Sequence, residues 1–416
     1  MKSATTHRNR IRNVAATVMR ILALMIAVSG AAAAQQYDLL LKGGHVIDPA
    51  NNINEPRDVA VAEGKIAAVA RNIAAGSARK VVDVTGFYVT PGMIDIHAHV
   101  PLGRAVVRWS HPADMNFSSG LTTVVDAGSH GARDIHLLRE NVVAHSRIRV
   151  LAFLNIVGSG MGDKEQDIRE MDAQLCADTI RKNRDILIGV KTAHYWTGQP
   201  WDKEHPPWQA VEKAVEAGTI ADAPVMVDLV SKFLFKARER GIYFDLGHGA
   251  GSFWWRNAVP AIKQGFVPDS ISTDLHMGNV NGPVVDFITT ASKLLVMGVP
   301  LEDVIRRATV NPARQIRRPE LGTLTVGREA DIAVLELRKG KFGYTDCGRA
   351  KFIGEGKLEN RLTVRAGQIV YDPSGISMVE WVKAPKQYFT TPRLQGVDPT
   401  ATAEPPDESR RRRPNR

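Results

Sequence analysis

The chain has 416 residues, room for two or three domains or for one large barrel with a satellite, and its 44% hydrophobic fraction is that of an ordinary globular protein. The formal net charge of +10 sits at the two ends: residues 1–34 hold five basic and no acidic residues, residues 384–416 hold seven basic and four acidic, and the rest carries only +2. A nearly neutral folded part removes charge as an argument for nucleic-acid binding.

Residues 1–34 read as a signal peptide. Lys2, Arg8, Arg10, Arg12 and Arg20 form a basic leader, residues 21–28 are apolar, and Ala32-Ala33-Ala34 offers a cleavage site before Gln35. The apolar run is short for a bilayer, so the expectation is an exported chain, periplasmic or secreted, with no membrane span after cleavage. An uncleaved anchor, or a surface protein held through its basic termini, is the rival. With Cys176 and Cys347 far apart in sequence, free or buried thiols are expected.

Residues 37–46 and 59–69 alternate in the manner of strands, the second run folding about Glu63-Gly64, and residues 81–84 and 87–89 add two more. Residues 322–326, 331–337, 362–365 and 368–371 repeat that style near the other end. Neither group buries a core alone, so one composite β-sandwich from 35–90 and 321–383 is predicted. Residues 384–416 lack apolar periodicity and read as a disordered basic tail.

Between the sandwich halves, residues 91–320 alternate apolar strands with helices, the pattern of parallel βαβ units in a TIM-type (β/α) barrel. Strands are predicted over 94–100, 122–127, 148–156, 186–194, 223–229, 241–248 and 270–276. Helices are predicted over 164–183, 207–217, 231–240, 257–264, 284–297 and 301–309. Seven strands fall one short of eight, and the close spacing of the runs at 223 and 241 places the absent βα unit at strand six.

Polar residues in these apolar runs gather at strand ends, where such barrels place their active sites. His97 and His99, two apart on the first strand, face the same way and are able to share a cation, although two alternating histidines also make a plain polar face. Lys191 is either a lysine snorkelling to the barrel mouth or an amine that takes up carbon dioxide and ligates metal as a carbamate. Asp274 either caps a turn or ligates metal and takes a proton from bound water, and Asp228 has the same two readings. His248, between glycines, is placed near the substrate rather than on the metal, with His194 beside it at the fourth strand's end. Trp196, Trp201, Trp254 and Trp255 either line a pocket or pack.

With these positions in hand, the chain resembles the amidohydrolase superfamily of metal-dependent hydrolases. The resemblance rests on Pro91-Gly92-Met93-Ile94-Asp95-Ile96-His97-Ala98-His99, on Lys191 and Asp274, on Thr309-Val310-Asn311-Pro312-Ala313-Arg314, and on the strand from Gly327 to Val334. Gly247-His248-Gly249 followed by Ser270-Ile271-Ser272-Thr273-Asp274-Leu275-His276 narrows it to the dihydroorotase-like amidohydrolase/deacetylase group. It spans residues 37–372 and implies one zinc ion held by His97, His99, a carbamate on Lys191 and Asp274, with a second ion sharing the carbamate. A hydroxide would attack an amide or ester carbonyl of a small molecule while Asp274 carries the proton. The chain departs from the group in having Asp228 where a histidine is usual and in lacking the sixth-strand segment. Two outcomes are therefore open: an active deacetylase or cyclic amidase, mono- or binuclear, or a catalytically impaired relative. An oligomer is compatible with either.

Overall fold

The computed structural model describes residues 35–100, 110–195, 202, 206, 208–227 and 234–384. The leader, residues 385–416, Asp228, Trp196 and Trp201 lie outside them. Residues through Ile376 make one compact unit; those from Ser377 make a second, with a short 3-10 turn at Trp381–Lys383. No helix among the described residues is long and apolar enough to cross a membrane.

The first seven strands are β1 (Tyr37–Lys42), β2 (His45–Asp48), β3 (Ile53–Pro56), β4 (Asp58–Ala62), β5 (Lys65–Ala70), β6 (Ala78–Asp83) and β7 (Tyr88–Pro91). The run at 37–46 is thus broken at Gly43-Gly44 into strands of different sheets, and β4 and β5 form the hairpin about Glu63-Gly64. A four-stranded sheet runs β5-β4-β1-β6. A six-stranded sheet joins both ends of the chain in the order β17-β16-β15-β7-β2-β3, with β15 (Ile332–Thr345), β16 (Lys351–Arg365) and β17 (Gln368–Tyr371). Apolar side chains of both sheets, among them Leu39, Val59, Val82, Val89, Val334 and Val364, meet in one core.

Two expectations fail here. Residues 322–326 form no strand, because side chains take up the local backbone: Asp48 accepts from Leu324 N at 2.9 Å and Thr323 from Thr325 N at 3.1 Å. In contrast, β15 and β16 run far past the predicted ends as a long antiparallel hairpin, and its outer part packs on the barrel.

The barrel strands are β8 (Met93–Ala98), β9 (Leu121–Gly131), β10 (Arg149–Asn155), β11 (Leu187–Lys191), β12 (Val225–Met226), β13 (Asp245–Gly247) and β14 (Ser270–Ser272). The first five form one parallel sheet and the last two another. Every residue of β8, β9 and β11 is buried, as parallel strands covered on both faces require. Along β10 the period of two is explicit: Leu151 and Phe153 join one apolar cluster, while Val150, Ala152 and Leu154 join another. On one side the sheets close on each other, Ala98 bridging Leu275 in the parallel sense. On the other, no strand among the described residues pairs β12 with β13.

The helices are α1 (Ile135–Asn141), α2 (Ala173–Lys182), α3 (Gln209–Ala221), α4 (Leu234–Glu239), α5 (Trp255–Lys263), α6 (Phe287–Val296), α7 (Leu301–Ala308) and α8 (Val310–Gln315). The single helix expected over 164–183 is instead two 3-10 turns followed by α2, because Asp172 N-caps at that point by accepting from Leu175 N at 2.9 Å. Cys176, within α2, is a buried free thiol pushed up to about 12 by burial. Phe287 opens α6 fully buried in the main core. Phe287→Ala should cost about 3–5 kcal/mol, seen as a lower denaturant midpoint at unchanged slope.

Candidate metal centre

The closure of β14 onto β8 builds the site. Asp274 N donates to His97 O at 2.6 Å and His99 N to Leu275 O at 3.1 Å, which sets the Asp274 side chain beside both histidines. His97 Nε2 lies 3.6 Å and His99 Nε2 3.1 Å from Asp274 Oδ1, and one ligand atom from each of the three residues falls within 4.8 Å of the others. Two imidazole nitrogens and a carboxylate oxygen converging in this way are a donor set that fits zinc or a similar divalent ion.

The surroundings prepare these donors. Ser129 Oγ donates its hydrogen to Asp126 Oδ2 at 2.8 Å, so Ser129 Oγ is left to accept from His99 Nδ1 at 2.9 Å. That tautomer turns the lone pair of Nε2 toward Asp274, across a gap that only a proton or a cation can bridge. Asp95 sits beneath, accepting from Thr273 Oγ1 at 2.5 Å and from His97 N at 3.1 Å, and burial drives it up to about 7 against those hydrogen bonds. Burial also pushes Asp274 upward, but with a proton in that gap the His99 hydrogen bond and the charges of His97, His99 and His276 outweigh it and bring the carboxyl down to about 2. Asp274 therefore stays an anion, the form a ligand or proton acceptor needs. His276 is lowered by burial.

Lys191 ends β11, fully buried, opposite Asn155 of β10. His194, three residues on, is about one-third exposed, with Nδ1 3.3 Å from Glu165 Oε2. Asn155 Nδ2 also donates to Glu165, at 3.2 Å. His248 is expected near the substrate. It is buried, with Nε2 2.6 Å from Lys293 Nζ and Nδ1 3.0 Å from Gly249 O, so both ring nitrogens are taken by the protein. Trp255 packs with Phe253, Tyr344 and Phe352, and Trp254 carries the Arg256 guanidinium over its ring, so this pair reads as packing.

Sequence reasoning missed Asp126, Ser129, Glu165 and Lys293. The first two carried a signal, a polar Asp126-Ala127-Gly128-Ser129 run ending a buried strand. Lys293 carried another: it is the one charged residue of α6, whose other residues are apolar or hydroxyl-bearing.

A parallel (β/α) barrel with a His–His–Asp donor set where its first and last strands meet defines the class. Comparison with known proteins is specific. A profile of the amidohydrolase family matches residues 255–370. A deacetylase of Agrobacterium fabrum is 31% identical over 322 residues, 68% of this chain and 79% of its own, and one of Enterococcus faecalis is 28% identical over 81% of this chain and 99% of its own. The crystal structure of an adenine deaminase superposes with a TM-score of 0.70 at 28% identity, over 81% of this chain and all of that one. A dihydroorotase does so with 0.70 at 27%, over 80% and 99%. The chain belongs to the amidohydrolase superfamily.

Proposed function

We propose that this chain is a zinc-dependent hydrolase of deacetylase or cyclic-amidase type, cleaving an amide or ester bond in a small molecule. The observation that carries the reading is the convergence of His97, His99 and Asp274; Lys191 ends β11 fully buried. As a carbamate, Lys191 would complete a four-ligand site with these three residues, and Asp228, which follows β12 in the sequence and lies outside the described residues, is the candidate toward a second ion. When bound, zinc supplies Lewis acidity toward a carbonyl and makes water acidic enough to be a nucleophile near neutral pH. The protein does the rest. Asp274, an anion in the folded chain, accepts the proton of the attacking water at Oδ1 and returns it to the leaving group. Ser129 and Asp126 hold His99 in the tautomer that keeps Nε2 on the site. That relatives are named deacetylases supports an acetylated small molecule as the substrate of this chain.

The reading extends to the rest of the chain. The sheets at its two ends form one composite sandwich that clasps a barrel shortened at strand six, and a cleaved leader sends the protein out of the cytoplasm. That no strand among the described residues pairs β12 with β13 favours a second reading, a catalytically impaired relative that keeps the fold.

Metal analysis of the purified full chain tests both. At least one tightly held ion per chain is expected, together with hydrolysis of a panel of N-acetylated amines, cyclic amides and esters that a chelator abolishes and zinc restores. A folded chain that neither holds nor takes up zinc overturns the proposal. Metal without hydrolysis of any panel member selects the second reading.

A further inference from the structure

Lys293 is a lysine with no exposure, carried by α6 among Phe287, Ile288, Ala291 and Leu294. A buried ammonium is costly unless each of its three hydrogens finds an acceptor. Here each does: Nζ lies 2.6 Å from Pro283 O, 2.7 Å from Thr345 O and 2.6 Å from His248 Nε2. An ammonium can only donate, so His248 Nε2 is the acceptor and the ring proton sits on Nδ1. Nδ1 then donates to Gly249 O, 3.0 Å away. Cys347 Sγ donates to the same oxygen at 3.4 Å, from the turn that joins β15 to β16.

The peptide held in this way borders the site. Gly249 has φ +56, and a Cβ placed on it would stand 2.8 Å from Asp274 Oδ2. Its N–H donates to Thr273 O at 3.0 Å, one residue before Asp274. The bare glycine backbone is thus the wall behind the outer oxygen of Asp274, while Oδ1 faces the histidines. Asp274 itself has φ +49, a conformation costly for most side chains that persists only where neighbours enforce it.

We infer that Lys293 is a positioning residue for Asp274: it fixes the His248 tautomer, His248 grips the Gly249 carbonyl, and the Gly249 backbone holds the carboxylate toward His97 and His99. The turn at Thr345–Cys347 takes part in the same grip, which gives the long β15–β16 hairpin a role at the site. This rests on the metal-hydrolase reading above for its kinetic consequences, but not for its structural one.

Two measurements on the full chain test it. Lys293→Met keeps the length of the buried stem and removes the donors. In a variant that remains folded, zinc affinity by chelator competition should fall about 10–100-fold and kcat by a similar factor, with KM within about threefold, the range found for groups that orient metal ligands. Affinity and kcat within twofold of the parent would overturn the inference. Should that variant not fold, nitrogen-15 histidine NMR of the parent chain decides, with His248 assigned by difference against His248→Gln. Protonated Nδ1 with an accepting Nε2 is expected, and protonated Nε2 would break the chain of contacts. A parent that binds no zinc defeats the functional reading alone, and the NMR result still judges this one.

Discussion

Asp274→Asn is expected to lower hydrolytic turnover by roughly 10²–10⁴-fold, the usual worth of a positioned proton-transfer group, while leaving the fold intact. The choice of Asn matters. Asp274 occupies the left-handed region, which Asn tolerates better than most residues, so the substitution removes the charge without adding backbone strain. It also exchanges an anion that His97 and His99 both approach for a neutral amide. Steady-state hydrolysis with parallel metal analysis and circular dichroism checks it: turnover within threefold of the parent, at equal metal content, would refute the proton-carrying role.

Lys191 carries the second large effect. Its side chain is fully buried, so the substitution must separate chemistry from packing. Lys191→Met fills much of the same volume and should keep the protein folded while weakening zinc binding by at least about 100-fold, more than loss of an outer hydrogen bond to a ligand would. Lys191→Ala should do the same and lose about 2–5 kcal/mol of stability to the cavity. Equal zinc retention in the parent and the Met variant, measured against a competing chelator, would show that Lys191 ligates nothing. The pair also distinguishes a carbamate from a merely structural lysine, since a structural role predicts a stability loss with metal binding unchanged.

The burial of Lys191 and the place of Asp274 in the donor set were legible in the sequence because both are polar residues in runs that otherwise read as buried strand, and burying a charge without a purpose is costly. His97 and His99 were legible for a simpler reason: residues two apart on a strand share a face. His248 was legible as a residue of interest. Flanking glycines signalled close approach to something, and what approaches is the Asp274 carboxylate, reached by the Gly249 backbone rather than by the imidazole. The length of the β15–β16 hairpin was hidden by Gly340, Gly343, Gly354 and Gly356 and by exposed charges such as Lys339, Lys341 and Glu355, which weaken the alternation that marks a strand.

By itself the sequence determined the alternating strands and helices of a parallel barrel, the paired histidines, and the superfamily. These follow from periodicity and from motifs, which are properties of neighbours along the chain. Tertiary structure decided which residues became partners. Asp274 reaches His97 and His99 because β14 closes on β8, and Lys293 reaches His248 because α6 and a distant hairpin pack around the loop after β13. Local pattern reports that a side chain is buried; only the packing of elements far apart in sequence supplies the hydrogen-bond acceptors that make a buried charge such as Lys293 tolerable, and so fixes what it does.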